Sequence, residues 1–390
     1  MIDTVVIRGY RALRNVRFAP RQLTLVTGAN GTGKSSLYRA LSLLQRAATG
    51  GLGMAIAQEG GIGSLTWAGV GEADAGSARK KQRPIQGTAH RASSTVLLGL
   101  SCEGIGFELE LGMPDYDPES RSPFNFDPGV VRECLWVGAA RNRHSICLER
   151  KGPSAQCFDV DRLQHVVSGL LSTESAISAL RDPKRLPELH AFREHLRSFR
   201  FYDGFRVDAQ SPLRQPTIGV RSPVLEADGS NLAACVQTIL EIGDGEAFRE
   251  SIRTAVGAEI EVLVSDGPRF EVATRVQGVL RPLRAHEHSD GTLRYIALAA
   301  SLFAPRPPPV AVFNEPEASL HPSLLAPLAQ AILHASQRTQ LWVVTHNDTL
   351  AAALRPGNEG SLADIALERG DDGATGIRGQ RLLDVPSWPD

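Results

Sequence analysis

The run Gly28-Ala-Asn-Gly-Thr-Gly-Lys34-Ser35 constrains this chain more than any other part of it. Its glycines let the backbone curl so that successive N–H groups converge on one point, and a following helix adds the positive end of its dipole there. Lys34 can then reach the β- and γ-phosphates of a nucleotide, and the Ser35 hydroxyl can ligate Mg²⁺. The flanks agree. Residues 22–27 are β-branched and apolar and run straight into the glycines, while Leu37, Ala40, Leu41, Leu44 and Ala48 recur at helical spacing after them. Strand, glycine loop and amphipathic helix in this order predict a phosphate site formed by Gly28, Ala29, Asn30, Gly31, Thr32, Gly33, Lys34, Ser35 and Ser36. A chance glycine turn would not require those flanks.

Three further segments can carry chemistry. Val310-Ala-Val-Phe-Asn314-Glu315-Pro-Glu317 reads as a buried strand ending in acidic residues, at the sheet edge where ligands of open α/β folds sit. Glu315 is placed to polarise an attacking water, and Glu317 to position its neighbours or to meet a second subunit. Strand Leu341–Thr345 ends in His346, which can hydrogen-bond a γ-phosphate or its attacking water. Ser289-Asp290-Gly291-Thr292 opens a helix, and such an N-terminus can either cap itself or bind an anion.

Composition removes several classes. With 42% hydrophobic and 22% charged residues the chain has a sizeable core and no signature of disorder. A net charge of −1 leaves any nucleic-acid contact to a local patch. The five cysteines, Cys102, Cys134, Cys147, Cys157 and Cys235, form no CxxC pair, so no zinc site is expected. The N-terminus lacks the pattern of a signal peptide, and no run approaches the ~20 apolar residues of a membrane span. A cytoplasmic protein with no membrane partner is expected.

Along the chain, 95–111 and 131–148 alternate as antiparallel strands, the glycine-dense 50–63 and the basic 71–91 read as loop, and 113–129, with four prolines, reads as an irregular connection. A helical pattern runs from about 160 to 200, and Asp266-Gly267-Pro268 signals a hairpin between two strands. The expected organisation is an N-terminal lobe over 1–150, an inserted helical lobe over 151–225 and a C-terminal lobe over 226–390. The last stretch of the chain is hard to read.

Taken in order, these segments resemble an ABC-type ATPase head of the RecF/SMC class. Gly28–Ser35 resembles the Walker A loop, Val310–Glu315 the Walker B strand and Ser289–Thr292 a divergent signature motif. Ala318–His321 stands at the D-loop position, and His346 at that of the switch histidine. The opening strand with Tyr10-Arg-Ala-Leu-Arg-Asn-Val, Phe201-Tyr-Asp-Gly-Phe-Arg206, Asp228-Gly-Ser-Asn-Leu232 and Trp67-Ala-Gly69 are similar to segments of standalone bacterial ATPases of this RecF-like, AAA-type group. The resemblance covers most of the chain. It implies an α/β P-loop NTPase fold, an ABC-type head with a mixed sheet and an inserted α-rich lobe. It also implies ATP and Mg²⁺ as cofactors, Glu315 and His346 as catalytic residues, and an ATP-dependent homodimer. In that dimer the second subunit's Ser289, Asp290, Gly291 and Thr292 meet the nucleotide in trans.

Asn314 departs from the family by replacing the expected aspartate beside Glu315. It keeps an acceptor oxygen near Mg²⁺ but loses the charge, which implies slow turnover rather than none. Gln58 is the candidate for a Q-loop metal contact. Lys34 and Asp290 lie much further apart than in a transporter nucleotide-binding domain, which argues against transport. Arg193, Arg197, Arg200, Arg206, Arg214 and Arg221 give the inserted segment a basic bias, readable either as a DNA contact in repair or genome maintenance or as a solvated surface. A regulatory ATPase acting on a partner effector, such as a nuclease or toxin, is the second reading, and AAA+ remodelling is a third.

Overall fold

Alternation of apolar and polar residues builds the first half of the chain, and continuous apolar runs build the second. The computed structural model describes residues 1–67, 95–113, 124, 129–159, 161–265, 267–357, 360–381 and 384–389. Two units result. One comprises Met1–Pro20, Gly28–Ser198 and Ile365–Asp390, the other Arg21–Thr27 and Phe199–Asp364.

The first unit holds an eight-stranded antiparallel sheet in the order Leu13–Phe18, Ile2–Tyr10, Val96–Cys102, Ile105–Gly112, Gly129–Val137, Ile146–Lys151, Ser154–Phe158, Gln164–Ser168. Glu103 (φ 52°) and Gly104 (φ 77°) turn the Val96–Cys102 strand back on itself in two residues, the twist-matched geometry of a tight hairpin. Helix Lys34–Thr49 buries Leu37, Tyr38, Ala40, Leu41, Leu43, Leu44, Ala47 and Ala48 and packs against helix Pro187–Arg197. Within this unit Glu133 and Arg150 form a fully buried ion pair at 3.2 Å. Glu133 also accepts from Ser175 Oγ and from the Ala176 N–H, and Arg150 donates to the carbonyls of Gly152, Leu171 and Glu174. Every charged atom of the pair thus has a partner, the condition for such a pair to persist in a core.

The second unit carries four parallel strands in the order Arg200–Tyr202, Val310–Asn314, Gln340–Val344, Leu23–Thr27. The three longer ones are buried along nearly their whole length, as parallel strands covered on both faces must be. Their core includes Leu23, Leu25, Phe313 and Val343, together with Tyr295 and Ile296 of helix Asp290–Leu302 and Leu328 and Ile332 of helix Leu325–Ser336. Strands Glu259–Ser265 and Arg269–Arg275 form the expected hairpin, and helices Leu232–Ile242 and Gly245–Val256 complete the unit.

Several boundaries differ from the sequence expectation. A line at 150 cuts the strand Ile146–Lys151, and one at 225 falls inside the second unit, so the chain does not pack as three consecutive lobes. Residues 50–63 are not loop: helices Leu52–Gln58 and Ile62–Leu65 occupy them, because Leu52 and Ile56, then Ile62 and Leu65, find buried positions between punctuating glycines. The helical pattern of 160–200 begins only at Ala176, after strand Gln164–Ser168. The loop reading of 71–91 and nearly all of 113–129 lie outside the described residues.

Candidate functional site

In the first unit, the glycine loop opens its helix through left-handed glycines. Gly33, at the N-cap, has φ 92° and Gly31 has φ 81°. Lys34 is buried, and its ammonium donates to the carbonyls of Gly28 (2.6 Å) and Ala29 (3.0 Å). The side chain therefore lies back along its own loop. Ser35 is exposed and Ser36 half-buried. The distal end of the chain supports the loop: Thr375 Oγ1 donates to the Thr32 carbonyl at 2.9 Å, and the Leu367 carbonyl lies where a Cβ on Gly28 would have to go. Gln58 is exposed at the end of its helix, whereas the adjacent Glu59 accepts from Tyr10 (2.7 Å) and Arg11 (2.9 Å).

In the second unit, three strands end level. Asn314 pairs with Val344, and Val344 with Val26. Thr27 leads directly into Gly28 in the chain. The backbone turns sharply at Glu315, whose φ is 48°, with its N–H donating to the Val344 carbonyl at 2.8 Å. Left-handed geometry costs a non-glycine residue roughly 1–2 kcal/mol, and such strain gathers at functional positions. His346 Nδ1 lies 3.4 Å from Glu315 Oε1 and 3.7 Å from Glu317 Oε1. Glu317 is buried, accepts from the Thr345 hydroxyl through Oε1, and leaves Oε2 without a hydrogen-bond partner; the buried Oδ1 of Asn314 has none either. Two buried acceptors facing no donor cost about 1–3 kcal/mol each unless something meets them. An all-oxygen set of this kind fits a hydrated Mg²⁺.

Ser289 caps helix Asp290–Leu302, accepting from the Thr292 N–H at 3.2 Å, with the two hydroxyls 2.9 Å apart. Ser289, Gly291 and Thr292 line one pocket together with Ser319, His321 and Ser323 of the segment after Glu317. Signature-like and D-loop-like residues therefore share a surface. Arg214 fixes it from behind, donating to the carbonyls of Val207, His286 and His288 and to the Asp290 carboxylate. Arg294, one turn into the helix, donates to the Ala318 carbonyl at 2.6 Å and to that of Phe205 at 3.1 Å.

A family model described as an AAA domain, putative AbiEii toxin, Type IV TA system, matches residues 161–352. Among solved structures, an Smc head bound to the C-terminal winged-helix domain of ScpA is similar over 98% of this chain and 98% of its own, at 16% identity and a TM-score of 0.51. This chain has the fold of an SMC-type ABC ATPase head. An Smc head from Pyrococcus furiosus with an extended coiled coil, bound to the C-terminal domain of ScpA, is similar over 96% of this chain and 95% of its own, at 15% identity and a TM-score of 0.47. A head from Thermotoga maritima covers 98% and 99%, at 12% identity and 0.42. No curated protein matches the sequence.

The basic residues that could be read as a DNA contact are largely engaged. Arg193 is buried and bonds the Leu180 carbonyl (3.1 Å) and His190 (2.7 Å), Arg197 pairs with Glu194, Arg206 with Asp208 and Arg221 with Glu241, while Arg214 braces Asp290. Among the described residues no helix is long and apolar enough to cross a membrane. Sequence reasoning missed Asp203, Arg214, Arg294, Thr345 and Thr375. Asp203, Arg214 and Thr345 stand in the sequence only as parts of a family-like segment, a basic run and a strand end, and Arg294 and Thr375 carry no local signal.

Proposed function

We propose that this head binds ATP with Mg²⁺ at Gly28–Ser36 and hydrolyses it slowly, as half of an ATP-dependent homodimer. The observation that carries the reading is Glu315, held past its strand in a left-handed conformation with His346 at 3.4 Å. The loop amides and Lys34 bind the phosphates. Glu315 takes the proton of the attacking water, and His346 orients that water or the γ-phosphate. The Ser35 hydroxyl would ligate Mg²⁺, which when bound neutralises charge between the phosphates, and Asn314 and, through water, Glu317 are the second unit's acceptors suited to such an ion. Asn314 offers the metal's hydration shell a neutral amide oxygen in place of a charged carboxylate oxygen, hence the slow rate. The exposed Ser289–Thr292 surface serves the partner copy's nucleotide, so that ATP closes the dimer and hydrolysis opens it.

Steady-state hydrolysis by the wild type, Glu315→Gln and His346→Ala tests the chemistry. Loss of the general base lowers the rate roughly 10²-fold or more, with nucleotide binding kept. An unchanged rate in Glu315→Gln rules out its role.

For the biological role, control of a partner effector has a specific support: the matched family's description names a toxin and a toxin–antitoxin system. The engaged arginines give DNA repair less. ATP-dependent association with the product of a neighbouring gene supports the effector reading. Turnover stimulated by duplex DNA, with binding that falls steeply as salt rises, supports genome maintenance instead.

A further inference from the structure

The acidic strand ends in an amide, and the strand beside it ends in a carboxylate. Tyr202 pairs with Phe313 in parallel register, so Asp203 and Asn314 leave adjacent strands side by side. Asn314 Nδ2 donates to Asp203 Oδ1 at 2.7 Å. A carboxylate only accepts, so this contact decides which end of the amide faces which way. The nitrogen goes to Asp203, and the buried Oδ1, which has no hydrogen-bond partner, remains an acceptor. Gly204, with φ 74°, turns the chain immediately after Asp203.

We propose that Asp203 is a positioning residue for the nucleotide's Mg²⁺, restoring from the neighbouring strand the negative charge that position 314 lacks and holding the Asn314 carbonyl oxygen available to the metal's hydration shell. The proposal rests on the ATP reading above. One carboxylate and one amide leave this corner with a single negative charge, as a lone aspartate at 314 would. Two carboxylates here would stand at hydrogen-bond distance, where like charges cannot both ionise without cost. The amide at 314 and the acid at 203 are thus one arrangement, and exchanging them should preserve it.

The test is a Mg²⁺ titration of the binding of a fluorescent ATP analogue to the full chain, which needs no turnover. Asp203→Asn should raise the Mg²⁺ concentration for half-maximal binding roughly tenfold or more, the usual penalty for losing a residue that orients a metal's ligands. Binding of the analogue without metal should be unaffected. Asn314→Asp alone should also be impaired, and the exchanged pair, Asp203→Asn with Asn314→Asp, should return to the wild-type titration. A wild-type-like titration by Asp203→Asn, or an exchanged pair no better than the worse single variant, overturns the proposal while leaving ATP binding intact. Loss of cooperative thermal unfolding in Asp203→Asn would make the residue structural and overturn it too. A wild type that binds no analogue, with or without Mg²⁺, removes the ATP reading and the proposal together.

Discussion

His346 Nδ1 lies 3.4 Å from Glu315 Oε1, although the two residues follow different strands of the parallel sheet. The contact exists because those strands end level and because the chain reverses at Glu315. The same reversal predicts a measurable strain. Glu315→Gly should be more stable than Glu315→Ala by about 1 kcal/mol, the cost of a Cβ in the left-handed region, and both should lose hydrolysis. Urea midpoints compare the two; equal midpoints would contradict a strained Glu315.

Gly28→Ala should abolish nucleotide-induced stabilisation. A Cβ there would lie 2.6 Å from the Leu367 carbonyl oxygen, a backbone atom with little room to retreat. A ligand present at a hundred times its Kd stabilises a fold by about 2.7 kcal/mol. The rise in Tm on adding Mg-ATP should appear in the wild type and be absent from Gly28→Ala. A full shift in the variant would mean that the loop tolerates the Cβ.

Stability should fall on mild acidification through His288. Burial holds its imidazole below the ordinary histidine value, and its carbonyl accepts from Arg214 just before the Ser289 cap. The unfolded chain therefore binds a proton that the folded chain resists, so stability rises with pH across this window. The contribution is complete above about pH 6.5, the ordinary histidine value, and is lost as pH falls through the lower folded value. His288→Asn should flatten the dependence of the urea midpoint between about pH 7.5 and 5.5. An equally steep dependence in that variant would exclude His288 as a source.

Arg150→Met should destabilise the first unit by about 3–5 kcal/mol, because it strands the Glu133 carboxylate in the core. Adding Glu133→Gln should recover part of the loss. Urea unfolding reads both, and a neutral Arg150→Met would show that Glu133 does not need its partner.

What could be read from the sequence was what lies close along the chain. The glycine loop declares itself through its own flanks, and helix Lys34–Thr49 through its apolar spacing. Strands Val310–Asn314 and Gln340–Val344 are apolar runs of unambiguous type. What stayed hidden depends on pairing across long separations. Strand Arg200–Tyr202 has three residues, too few for a periodic signal, yet it alone brings Asp203 to Asn314. Arg214 looked like one more surface cation because its partners, around Asp290, are remote in sequence. The end of the chain seemed uninformative, but Trp388 packs edge-on against Trp136 with centroids 5.3 Å apart and donates to Glu108 at 2.6 Å. Short segments that work by tertiary contact leave little local pattern to read.

In the proposed function ATP holds two heads together, and Glu315 ends the closed state. Mass measurement of Glu315→Gln by light scattering, with Mg-ATP, with Mg-ADP and without nucleotide, tests it most directly. The expected result is a dimer with Mg-ATP alone, abolished by adding Lys34→Ala. A Glu315→Gln chain that binds ATP and stays monomeric, or one that dimerises equally with ADP, would contradict it.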